Sequence, residues 1–168
     1  YSQFGYDGIN GLSAQDSGDI GWINSETADD AVFTGAVEVT GAVWQTIDRG
    51  NPDVTVGDYG IYYTNPAGGP GKLISEGDSV TLDSRLTDGT SLFGGTVWVC
   101  KVTTTTTRAV TGGYYFSLRP RIEAFVQSFW LTAPGGNGEG YFRSPFFGYS
   151  NWTPVSSVLG VAYEFSFC

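Results

Sequence analysis

The chain has no histidine and no methionine, only eight basic residues and only two cysteines. Each shortage excludes something. Without histidine there is no Ser-His-Asp triad, no Cys-His dyad, no His-ligated zinc and no histidine proton shuttle. Eight bases against 17 acids leave a formal charge of −9. Phosphate neutralisation needs clustered Lys and Arg, so nucleic acid is not an expected partner. No apolar run approaches the length of a membrane-spanning helix. The start at Tyr1 and the lack of Met suit a mature, exported chain. The expected location is therefore extracellular, at a cell surface, with a virion surface as the alternative.

What is present suits one folded domain over residues 1–168. Hydrophobic residues make up 40% of the chain, and there are 25 Gly, 11 Phe, 10 Tyr and 5 Trp. That composition buries a core and does not suit disorder. The acids are uneven. Residues 1–48 contain Asp7, Asp16, Asp19, Glu26, Asp29, Asp30, Glu38 and Asp48 and no base. The plain reading is a loop-rich, acidic N-terminal segment over 1–30 that faces solvent. The sharper one is a calcium site or a surface for a basic partner.

Gly and Pro punctuate short runs rich in Val, Thr, Tyr, Phe and Trp, which is the pattern of an all-β chain. About nine to eleven strands are expected, in a β-sandwich of Ig-like or jelly-roll type. Asn65–Gly71 and Pro134–Gly140 read as loops. Lys72–Ser75 and Ser79–Leu86 read as a hairpin about a turn at Glu76-Gly77-Asp78. Thr96–Val110 reads as a long strand whose Thr103–Thr107 tract lies on an edge or an open face. Val155–Cys168 reads as a strand, with Val161, Tyr163, Phe165 and Phe167 on one side. Cys100 and Cys168, each in a strand-like run, are expected to form one disulfide.

Four constellations bear on function. A glycosidase needs two carboxylates and no histidine, and Glu38, Glu123 and Glu164 are the acids inside strand-like runs. Asp16, Asp19, Asp29 and Asp30 offer hard oxygen ligands, so calcium is the one cofactor considered, without EF-hand spacing. Tyr141, Arg143, Tyr149, Asn151 and Trp152 form an aromatic, loop-flanked cluster suited to stacking on a sugar. The Thr103–Thr107 tract and the C-terminal run are candidate open edges for strand addition. The leading expectation is a non-catalytic surface protein, an adhesin or filament (pilus-type) subunit that joins other subunits through strand edges or binds a cell-surface glycan. The alternatives are a viral or phage capsid, spike or decoration protein, and an extracellular carbohydrate-active enzyme.

Overall fold

The computed structural model describes residues 2–17, 23–50, 53–122, 126–134 and 138–168. Asp19 and Glu123 lie outside the described residues. In chain order the strands are β1 (Gly11–Ser13), β2 (Gln15–Asp16), β3 (Asn24–Phe33), β4 (Val37–Arg49), β5 (Val56–Thr64), β6 (Pro70–Thr81), β7 (Ser84–Leu92), β8 (Gly95–Ala109), β9 (Gly112–Pro120), β10 (Gln127–Ala133), β11 (Tyr141–Ser144), β12 (Tyr149–Pro154) and β13 (Glu164–Phe165). Among the described residues a short α-helix, α1, covers Val155–Leu159, and a 3-10 turn covers Pro145–Phe147.

These strands form a β-sandwich. One sheet has the order β1-β10-β4-β8-β7, with β13 also on β10. The other has the order β12-β11-β3-β9-β5-β6, with β2 also on β3. Large apolar side chains from both inner faces meet between them, including Trp44, Trp130, Phe116, Phe142, Phe165 and Phe167. The all-β expectation holds, and short pieces such as β1, β2 and β13 raise the strand number above the expected range.

Several local expectations are overturned. The end of the segment 1–30 is not loop, because β3 from Asn24 onward occupies a central place between β11 and β9. Nor does the acidic stretch face solvent as a whole: Asp16, Glu26, Asp29, Asp30 and Asp48 are buried. Glu76-Gly77-Asp78 is not a turn. β6 runs through it with register shifts against β5. Gly77 is required by packing, since a Cβ there would collide with the Tyr59 ring. The chain turns after Thr81 instead and crosses to the other sheet, where β7 pairs with β8.

Val155–Cys168 is not one strand. Val155, Val158 and Leu159, spaced three and four apart, pack on the core from α1, which ends at Gly160 with φ 79°. The last five residues then slot into the first sheet between β10 and β4. Ser166 N–H donates to Leu131 O, Gln45 N–H donates to Ser166 O, and Val43 and Cys168 exchange two backbone hydrogen bonds.

That insertion separates the cysteines. Cys100 on β8 pairs with Trp44, whereas Cys168 lies on the opposite side of β4, beside Val43. Two strand spacings are about 9.6 Å, beyond the ~7 Å limit for Cα atoms of a disulfide. Cys100 is buried and Cys168 exposed, and both are free thiols. Burial, chiefly, and the charge of Asp48 push the Cys100 thiol up to about 12. Without reductant, one thiol (Cys168) should react with a maleimide in the native protein and two after denaturation. No reactive thiol in the denatured, unreduced protein would restore the disulfide.

Candidate functional site

Three places bring functional side chains together. The first is an open corner of the sandwich. In β4, Val37–Ala42 pairs with β8 on one side. On the other side the ladder ends at Val43, where Cys168 stops, and among the described residues Val37–Ala42 has no backbone partner there. β3 behaves alike, since β11 pairs only with Glu26, Thr27 and Ala28. Between these two edges lies a cavity of about 220 Å³, walled by Ala31, Phe33, Val37, Val39, Phe116 and Phe167. Across β8 the other edge is open too. The last β7 pair is Ser84 with Lys101, so Thr103–Ala109 has β4 as its sole ladder partner among the described residues. At this end the sheet is a two-stranded ribbon with no third strand on either side among the described residues, although on β8 the Thr105 N–H donates to the Tyr59 hydroxyl at 2.9 Å. The expectation of an edge at Thr103–Thr107 is met. The expectation of an edge at the aromatic C-terminus is not, because that segment is flanked by β10 and β4.

The second place is the outer face of the second sheet. Arg143 on β11 pairs with Glu26 on β3, and Arg119 on β9 pairs with Asp58 on β5. Ala28 faces Ser117 two residues on, so the four side chains form one row of alternating charge. Arg143 Nε donates to Glu26 Oε2 at 2.7 Å, and Arg119 Nε lies 3.2 Å from Asp58 Oδ2. Tyr62 crosses the row diagonally. Its ring lies over Gly60, where a Cβ would come within 2.7 Å, and its hydroxyl donates to Glu26 Oε1 at 2.8 Å. Burial first, then the Glu26 charge, push the Tyr62 phenol far above its usual range. Trp152 meets Tyr62 edge-on at 5.7 Å, with the Arg143 guanidinium 4.5 Å over its ring. One end of the groove is closed by Arg121, bound to Asp16 and Asp78 at 2.8 Å each. The groove encloses about 320 Å³.

This arrangement divides the aromatic cluster expected from sequence. Tyr141, Arg143 and Trp152 belong to the outer face. Tyr141 is roofed there by the β5–β6 turn, since a Cβ on Gly69 would touch its ring at 2.5 Å. Tyr149 instead packs inward, with its ring centroid 5.8 Å from that of buried Phe142, and exposed Asn151 stands apart from the groove. Alternation along β12 puts the two sets on opposite faces. Local sequence missed Glu26, Asp58, Tyr62, Arg119 and Arg121, because they converge from three strands and the residue just past β9.

The third place is a buried carboxylate group of Asp29, Asp30 and Glu164, whose oxygens lie within 4.8 Å of one another. Asp29 Oδ2 accepts from Phe165 N–H at 2.6 Å, and Glu164 Oε1 accepts from Gly138 N–H at 2.6 Å. The Asp29 carboxyl thus lies beside that of Glu164. Burial first, then the neighbouring Glu164 charge, hold Asp29 well above the usual carboxylate range. A second trio joins Asp16, Asp58 and Asp78. There Arg121 already supplies the positive charge, and burial raises Asp58 to about 6. The expected calcium set is therefore split: Asp16 is in one trio, Asp29 and Asp30 are in the other. Of the candidate glutamates, Glu38 is exposed opposite Arg108 and Glu164 is buried beside Asp29, while Glu123 lies outside the described residues.

A raised Asp29 has a definite consequence for acid–base stability. An aspartate whose native value exceeds its unfolded value, near ~4, stabilises fully below that unfolded value. That contribution is lost as pH rises through the native value. Glu164→Gln removes the adjacent charge and still offers a donor to Asp29. Urea titrations at pH 4.5 and 7.5 should show a smaller stability difference in Glu164→Gln than in the parent. Lower stability of the variant at pH 7.5 would mean that the paired charges are held together by a cation instead.

No family model, no curated protein and no solved structure matches this chain.

Proposed function

We propose that the chain is an extracellular, non-catalytic structural subunit that assembles with copies of itself by strand addition at the open ribbon of β4 and β8. The observation that carries this reading is the pair of open edges on opposite sides of one ribbon. An edge of Val37–Ala42 on one copy and an edge of Thr103–Ala109 on the next form a head-to-tail contact. Contacts of that kind continue from copy to copy and build filaments unless the rotation closes a ring.

Two further features support it. The C-terminal segment already adds to this same edge of β4 as far as Val43, so the slot accepts an extended strand. The edges also carry opposite charges, Glu38 on β4 and Arg108 on β8, which face each other within one copy. An incoming strand covers the half-buried Phe33, Val37 and Val39 beside the cavity, which otherwise remain a flank exposed to water.

Electron microscopy and light scattering over a concentration series test the reading. The parent protein should form filaments or rings. Glu38→Lys sets like charges against Arg108 of the neighbour and should leave monomers, while Glu38→Lys with Arg108→Glu should restore assembly. A parent protein that stays monomeric at millimolar concentration defeats the proposal.

A further inference from the structure

We propose that the groove on the outer face of the second sheet binds an anionic saccharide, a sugar unit carrying a carboxylate or a sulfate. The groove lies on the outer face of the second sheet, whereas the ribbon of β4 and β8 belongs to the first, so this inference does not rest on assembly.

The first argument is the depth at which each charge lies. The side chains of Arg143, Arg121 and Arg119 are 40%, 34% and 20% exposed, while their partners Glu26, Asp16 and Asp58 are 9%, 8% and 7% exposed. The carboxylates thus lie beneath and the guanidiniums above. At the Arg143 and Arg119 end a ligand entering from solvent therefore meets cations first, in a protein whose net charge is strongly negative. Each buried carboxylate fixes its guanidinium, so the planar donor forks are oriented before a ligand arrives. Among the described residues, this groove gathers four of the five arginine–carboxylate contacts onto one face.

The second argument is what surrounds those cations. Arg143 stacks on Trp152 and shares Glu26 with the Tyr62 hydroxyl. Trp152, behind the lining, and Glu26 thus immobilise the donor fork, with Tyr62 as the aromatic side chain beside it. At the other end exposed Glu76 and Asp78 stand on the rim. Carboxylates accept from hydroxyl groups and repel a second anion. The groove is therefore polar in a directional sense. A ligand's negative group belongs at the Arg143 and Arg119 end, and its hydroxyls at the Glu76 and Asp78 end. A simple inorganic anion uses the first end alone and a neutral sugar uses the second. A charged sugar uses both. The volume of about 320 Å³ suits one or two sugar units, at the small end of ligand sites.

Calorimetric titration with galacturonic acid trisaccharide, a neutral galactose trisaccharide and inorganic sulfate tests this directly. The acidic trisaccharide should bind, and raising the salt from 50 to 500 mM should weaken it at least several-fold. Neutral trisaccharide and sulfate should each bind at least tenfold more weakly. Arg143→Gln removes the leading guanidinium but leaves Glu26 buried alone, so the balanced variant Arg143→Gln with Glu26→Gln is tested beside it. The balanced variant should keep the parent's melting temperature within a few degrees and lose acidic-trisaccharide binding at least tenfold. Its assembly in the electron microscope should match the parent's. Equal binding of the neutral trisaccharide overturns the anionic specificity, and equal binding of sulfate overturns the saccharide. Unchanged affinity in the balanced variant, or no binding of the acidic trisaccharide to the parent protein, overturns the site.

Discussion

Phe165→Ala is expected to destabilise the fold by about 3–5 kcal/mol, the range for deleting a fully buried aromatic ring. Phe165 is wholly buried, although it lies four residues from the end of the chain. Its ring centroid lies 5.4 Å from that of Trp130, which is also fully buried. The site has little freedom to collapse. Gly140 presses on the same ring so closely that it has no room for a Cβ. The backbone of Phe165 is tied as well, through its N–H to Asp29. Loss of the ring therefore loosens the short segment that fills the gap between β10 and β4, and with it the start of the open edge of β4. Equilibrium urea unfolding reads the loss. Phe146→Ala is the matched control, because Phe146 is 53% exposed and should change stability by no more than about 0.5 kcal/mol. Similar effects for the two variants would show that the C-terminal segment contributes no core.

Arg85→Ala should cost a comparable amount, about 3–5 kcal/mol, for an electrostatic reason. Arg85 Nη2 lies 2.7 Å from Asp48 Oδ2, with side chains 10% and 0% exposed. Removing the cation strands a carboxylate that has no access to water, which is the costly way to break a buried pair. The guanidinium also lies 3.7 Å over the Trp98 ring, worth about 0.5–2 kcal/mol more. If the cause is the stranded charge, Asp48→Asn added to Arg85→Ala should recover more than half of the loss. Arg85→Lys should recover only part, since an ammonium keeps the charge but not the planar stack. No recovery in the double variant would place the loss in packing against Trp98.

These effects show which parts of the molecule the sequence made legible. Alternation and β-branched content identified the long strand at Thr96–Val110, realised as Gly95–Ala109. The polar Thr tract within it marked an edge, because threonine suits a strand that has little to bury on one side. The reading failed where one signal has two physical sources. Gly77 looked like a turn residue but is a packing residue under Tyr59. Val155–Leu159 looked extended because Val favours strands, yet a three-and-four spacing against the core outweighed that propensity. The candidate groove was visible only through Arg143, Trp152 and Asp16, since its other charged members are ordinary strand residues with no local motif.

By itself, the sequence determined the class of this protein: an all-β chain without histidine chemistry, its acids crowded before Arg49. Composition and period-two patterning carry that information because they act through local backbone preference and through which side of a strand is apolar. Tertiary structure decided where the acids went. β3 became a central strand, so Glu26, Asp29 and Asp30 were buried with partners supplied from β5, β11 and β13. It also decided that β4 would divide the two cysteines and that a row of arginines would lie above a row of carboxylates. Pairing between distant strands sets these outcomes, and a strand's own sequence names the face it buries but not the neighbour it will have.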